Sequence, residues 1–186
     1  MFRRVKKEFK MLEWQKNEQD TALLHRTWTD DFEVLFSLGS KMYITAFEGA
    51  HGAACKSLFP WVARYEMAGR NYAEQTEFRI QALRLVQTIE KALDKVDNIE
   101  RLERYLYALG HRHVHYLPVW LDPEYWDVFK DAVRTGLNDR LNTLPQLSPS
   151  ERARAIEIWG DIIEYIFEHV KEGFYDGLKG VNHFKI

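Results

Sequence analysis

The chain has 186 residues, with 26 Lys and Arg against 28 Asp and Glu, a formal net charge of −2. That length suits one domain with a sizeable core, and the near-neutral balance argues against nucleic-acid binding. Cys55 is the sole cysteine, which excludes an intramolecular disulfide or a cysteine-rich zinc module and fits a reducing compartment. No apolar run approaches the ~20 residues of a membrane-spanning helix. There is no secretory apolar region at the start, and Phe2 rather than glycine excludes N-myristoylation, so the expected location is cytoplasmic.

Residues 1–20 stand apart as an N-terminal extension. Arg3, Arg4, Lys6, Lys7 and Lys10 are concentrated in ten residues, and Phe2, Val5, Phe9 and Leu12 step by 3, 4 and 3. This is a basic amphipathic helix, able to make weak contact with an anionic membrane surface. The favoured alternative is a leading helix packed on the domain with its basic face in solvent. Glu8 and Glu13 argue against an organelle-targeting peptide.

From there the spacing is helical, and strand signals are weak. Leu24 and Trp28 fit a first helix, and an apolar helix is predicted from about Val34 to Ala50. Pro60 follows Phe59 as a breaker. Phe78, Ala82, Leu85, Ile89, Leu93 and Val96 form the stripe of a long helix. Asp97-Asn98 can cap the next, whose stripe is Ile99, Leu102, Leu106 and Leu109. Pro118 and Asp122-Pro123 interrupt the pattern, with Pro123 suited to a first helical turn. Trp126, Phe129, Val133 and Leu137 follow. Ser148-Pro149-Ser150-Glu151 is a good start for a helix striped by Ile156, Trp159, Ile163, Ile166 and Val170, and Gly173 and Gly177 are expected to loosen its end. The prediction is an all-α domain of about seven helices over residues 21–178, with a tail at 179–186.

Six Trp, nine Tyr and eleven Phe make the chain aromatic-rich. Composition favours a large aromatic core over a core that takes a flat apolar guest. The stretch "YALGHRHVHY", residues 107–116, adds three histidines. The stripe ending at Leu109 continues by four to His113, which therefore points inward. His111 and His115 lie about 160–200° away on a helix. Two readings compete for that pair: a zinc chelate, or polar residues opposite the helix dipole. On the preceding helix Gln81 is a polar amide between apolar neighbours, 32 residues before His113. An inward histidine facing an inward amide suits haem, with a proximal ligand and a distal donor. The bland alternatives are a hydrogen-bonded core histidine and an exposed glutamine.

At these residues the chain resembles the globin family, in particular nematode globins and neuroglobin. The run "EFRIQALRLVQTIEKALDKVDNIERLERYLYALGHRHVHY" (77–116) carries the likeness almost without gaps, preceded by "LFPWVARYE" (58–66). "LGSKMYITAFEGAHGAACKSLF" (38–59), "DPEYWDVFKDAVRTGL" (122–137) and "ERARAIEIWGDIIEYIFEHV" (151–170) are similar to further globin helices, and Trp28 matches the tryptophan of the first. The resemblance spans roughly residues 21–175 and implies a globin fold of seven to eight helices around a haem b pocket. By resemblance His113 is the proximal iron ligand, Gln81 the distal residue, Phe59 the ring stacked on haem and Leu85 the aliphatic side chain over the iron. Arg84 is placed to pair with a propionate. Tyr43 matches the distal residue of the second helix. The stretch from Phe47 to Phe59 is two residues longer than the family's, and a similar excess falls near Pro118-Val119-Trp120.

The implied function is reversible O₂ binding for oxygen storage, transport or sensing, with CO and NO as further diatomic ligands. The alternative is redox chemistry on nitric oxide, nitrite or peroxide, and the third class is a haem-free helical scaffold. Glutamine is a poor iron ligand, so a five-coordinate ferrous state is expected, with Tyr43 and Gln81 as hydrogen-bond donors.

Overall fold

The computed structural model describes residues 17–116 and 123–182 of the chain. The basic amphipathic helix expected from residue 1, through residue 16, and the excess near Pro118-Val119-Trp120 lie outside them. The described residues form eight α-helices: α1 (Glu18–Thr27), α2 (Phe32–Glu48), α3 (Gly52–Ser57), α4 (Pro60–Met67), α5 (Thr76–Leu93), α6 (Ile99–His113), α7 (Pro123–Thr143) and α8 (Pro149–Asn182). A single 3-10 turn, Tyr72–Glu74, leads into α5. No helix among the described residues is long and apolar enough to cross a membrane.

The helix starts are written in the sequence. Asn17, Asp31 and Asn98 each accept a hydrogen bond from a backbone N–H of the first turn they precede. At α8 the cap is reciprocal: the Glu151 N–H donates to Ser148 Oγ (3.3 Å) and the Ser148 N–H donates to Glu151 Oε2 (2.8 Å). Pro60 and Pro149 occupy first helical positions, where a missing N–H costs nothing.

The apolar stripes converge on one large core that includes Leu24, Val86, Leu102, Leu106, Leu137, Trp159, Ile163 and Phe174. Burying each such side chain contributes about 1.5–3 kcal/mol. A second cluster holds Phe47, Cys55, Val62, Phe78 and Ala132, and Phe59 and Phe129 pack against both. Helix α6 lies along α8, and α2 packs against α5 and α7. Helices α5 and α6 are neighbours in sequence yet touch sparingly.

Small residues set the closest contacts. A Cβ at Gly110 would collide with the Val170 carbonyl, and one at Gly173 with the Tyr107 carbonyl, so α6 and α8 meet backbone to backbone. The expectation that Gly173 and Gly177 loosen a helix end is therefore corrected. Helix α8 runs unbroken to Asn182, because tertiary packing on α6 outweighs the local propensity of glycine. A Cβ at Gly39 of α2 would likewise strike the Ala82 carbonyl of α5. Two boundaries shift slightly: α2 occupies Phe32–Glu48 rather than 34–50, and Val96 is buried beyond the end of α5.

Candidate functional site

His113 is the last residue of α6, and the stripe before it is buried at Leu102 and Leu106. Its imidazole is half-buried, with Nδ1 2.8 Å from the Leu109 carbonyl. A carbonyl only accepts, so Nδ1 carries the hydrogen and Nε2 keeps its lone pair. Burial lowers the pKa of the ring; the Leu109 bond opposes this and the Arg112 charge adds to it. The result is a neutral, oriented imidazole with one bare nitrogen, the form in which histidine ligates a metal.

His111 and His115 are exposed. The α-helix stops at His113, and the chain continues in turns with His115 N–H on the Arg112 carbonyl and Tyr116 N–H on the His113 carbonyl. The regular α-helix therefore ends between His111 and His115. No group of three or more metal-ligating side chains occurs among the described residues. A single inward histidine suits an iron whose remaining in-plane ligands come from a cofactor rather than a bare ion, which needs about four ligands.

Helix α5 supplies Gln81, Arg84 and Leu85, at i, i+3 and i+4 and so on one face. Gln81 and Leu85 are half-buried, and Arg84 is exposed. The Gln81 amide makes no hydrogen bond to a described residue. Behind them Ala82 is fully buried against Gly39 of α2, which fixes the helix from its other side.

Tyr43 comes from α2 and lies at the centre of an aromatic cluster. Its ring meets Phe47 and Phe59 at 5.7 Å, Phe129 at 5.8 Å and Phe78 at 6.3 Å, all edge to face. Burial pushes the phenol pKa well above its usual value, with the nearby Arg84 charge pulling the other way. The hydroxyl is thus a protonated donor, and it too makes no hydrogen bond to a described residue. Phe59 stands at the start of α4, joined edge to face to Phe47 and Trp61. Between Phe47 and Phe59 the chain forms the short α3, entered through a turn so tight that a Cβ at Gly52 would strike the Phe47 carbonyl.

One neighbour of His113 escaped the sequence reading. Trp126, in the first turns of α7, is buried with its ring 6.1 Å from the imidazole and 5.5 Å from Phe174. Its helical spacing marks it as core, and nothing in the spacing marks its contact with a residue 13 positions upstream. Among the described residues these side chains offer one imidazole nitrogen without a proton, two donors with no hydrogen-bond partner, and an exposed guanidinium on α5.

A family model for globins matches residues 46–169. Among solved structures, the crystal structure of a hexacoordinated heme protein from an anhydrobiotic tardigrade at pH 4 superposes with a TM-score of 0.66. That match covers 86% of this chain and 95% of the other at 21% identity, a likeness of fold. No curated protein matches the sequence.

Proposed function

Since this chain belongs to the globin family and has its all-helical fold, we propose that it binds haem b through His113 and takes O₂ reversibly on the opposite face. The observation that carries the reading is the hydrogen bond from His113 Nδ1 to the Leu109 carbonyl, which leaves Nε2 free on a neutral ring. Haem, when bound, supplies an iron open to small diatomic ligands.

The chain's own residues do the rest. Phe59 and Leu85 give the flat group apolar walls and keep water off it. Arg84, exposed at the edge, pairs with a propionate. Gln81 would not compete for iron as a histidine would. The Gln81 N–H and the Tyr43 O–H donate to a ligand that draws negative charge, each contributing ~0.5–1.5 kcal/mol. They favour O₂ over CO, which carries less charge. Oxygen storage, transport and sensing all rest on this retention.

The test is a visible spectrum of the purified chain loaded with haem. The expected result is a Soret band, a five-coordinate ferrous form and a reversible change with O₂, with haem lost in His113→Ala. No Soret band, or His113→Ala that keeps haem at wild-type stoichiometry, overturns the reading. Six-coordinate ferrous bands without added ligand defeat the role given to Gln81. Oxidation within minutes in air would replace O₂ holding with redox chemistry on nitric oxide, nitrite or peroxide.

A further inference from the structure

Helix α8 carries acids along one line. Glu157, Asp161, Glu164, Glu168 and Glu172 step by 4, 3, 4 and 4, so they share a face, opposite Trp159, Ile163 and Val170 in the core. Lys171 is the only lysine or arginine between Glu157 and Glu172. Part of the charge is answered within the domain: Arg154 meets Glu157 at 2.7 Å, Lys130 of α7 meets Glu164 at 3.2 Å, and His169 lies 3.4 Å from Glu172. Glu157 and Glu168 are exposed. The described residues begin beside this face. Asp20, in the first turn of α1, is buried against α8, where Arg154 Nε donates to it at 3.0 Å. The same guanidinium holds Glu157, the first acid of the line. Residues 1–16 are therefore tethered where the acidic line starts.

Those residues have the complementary pattern. Arg3, Lys6 and Lys10 step by 3 and 4, and on a helix they border the apolar stripe of Phe2, Val5, Phe9 and Leu12. A helix over residues 2–12 is ~15 Å long, against ~22 Å for the acidic line. Residues 13–16 can span up to ~13 Å as a connector. We propose that residues 2–12 dock on the outer face of α8 as a basic amphipathic helix, with Arg3, Lys6 and Lys10 on the acidic line from Glu157 to Glu172. A single exposed ion pair is worth little, but a row of them on a tethered segment adds to a high effective concentration. The contact weakens with salt. While docked, the segment's cations are withheld from anionic membranes, which reverses the expectation of a basic face left in solvent. The proposal is independent of the haem reading.

The experiment treats the full chain, as purified, with a zero-length carbodiimide that joins amines to carboxylates in contact, and maps the products by mass spectrometry. The expected cross-links run from Lys6, Lys7 or Lys10 to acids between Glu157 and Glu172 within one chain, and they fade in high salt. Trypsin then reads the same contact by its cleavage after Arg3, Arg4, Lys6, Lys7 and Lys10. In Asp161→Lys/Glu168→Lys that cleavage should be about tenfold faster than in wild type, the effect of removing two pairs and adding two repulsions. Vesicles of phosphatidylserine and phosphatidylcholine complete the test: the double variant should bind them more tightly than wild type, because its N-terminal segment is released. Absence of cross-links to α8 overturns the proposal. Cross-links found only between two chains place the segment on a second copy and overturn it too. Equal tryptic rates, or wild type binding vesicles as tightly as the double variant, likewise overturn it, the latter in favour of a membrane surface. If Asp161→Lys/Glu168→Lys does not fold, the wild-type cross-links and their salt dependence decide alone.

Discussion

The two walls of the site are built on opposite plans. On the His113 wall, α6 and α8 are pressed together through glycines on both helices, Gly110 against Val170 and Gly173 against Tyr107. The imidazole at its end is tied to the Leu109 carbonyl. On the other wall, α5 is braced at Ala82 against Gly39, and its Gln81 and Leu85 are half-buried. Tyr43 rests among edge-to-face rings, its hydroxyl without a hydrogen bond to any described residue. On the function proposed above, the first wall would hold the iron ligand in place and the second would supply donors to a bound guest. Interiors are rigid where close packing leaves no slack, and a polar group without a partner is tolerated where a ligand completes it.

The largest expected effect breaks the first wall. Gly110→Ala puts a methyl into the Val170 carbonyl, and backbone cannot step aside as a flexible side chain can. Overpacking of this kind costs ~3 kcal/mol at its upper range, which urea denaturation of the haem-free chain would read. The displaced α6 should also carry His113 away and speed haem loss. Gly180→Ala is the control: no atom lies within 4 Å of its Cβ, so stability should stay the same or rise slightly. If both substitutions behave alike, α6 and α8 are not in backbone contact.

The second wall predicts a different pattern, loss of function without loss of stability. Tyr43→Phe removes a hydroxyl that no described residue satisfies, so the haem-free chain should be as stable or slightly more so. Gln81→Leu should likewise fold. Each should release O₂ faster by up to about tenfold, with CO release nearly unchanged. Laser photolysis and stopped-flow mixing would measure both. Equal effects on O₂ and CO would mean that these side chains shape the pocket rather than donate to the ligand.

The contrast also marks what was legible in the sequence. The helices were, because a period of 3.6 survives in every apolar stripe and the caps at Asn98 and Ser148 have local signatures. The inward direction of His113 followed from a step of four beyond Leu109. The glycines misled: Gly173 and Gly177 read as loosening residues, since propensity is local whereas backbone contact between α6 and α8 is a tertiary property. Trp126 was hidden for the same reason. It heads the stripe of α7 and looks like plain core until the fold lays it against His113. The resemblance of residues 77–116 supplied the roles proposed for Gln81 and Leu85, which spacing alone could place on a helix but could not assign.

Arg84 should give a smaller effect than the donors, because its side chain is exposed. Arg84→Gln removes a pair with a propionate that water and salt already screen, worth ~1 kcal/mol or less. Haem loss should rise a few-fold at low salt, and the difference should shrink as salt is added. An effect of Arg84→Gln that ignores salt would place the guanidinium away from the propionate.

The smallest expected effect lies on neither wall and tests whether the walls can be treated apart from the scaffold. Glu151 caps α8 through the Ser148 N–H and pairs with Arg26 of α1 at 2.5 Å. The Arg26 and Ser148 hydrogen bonds hold its pKa at about 2, below the ordinary 4.5. A carboxylate whose folded pKa is depressed contributes stability above its unfolded value and loses it as pH falls through the folded one. Wild type should therefore exceed Glu151→Gln in stability at neutral pH, with the gap closing between the ordinary 4.5 and about 2. Denaturation midpoints taken across that range would show the closure. The Soret band of the loaded protein at pH 7 should be the same in both, since α8 meets α6 far along the helix from Glu151, at Val170 and Gly173. A changed spectrum in Glu151→Gln would mean that the N-terminal end of α8 also sets the position of His113.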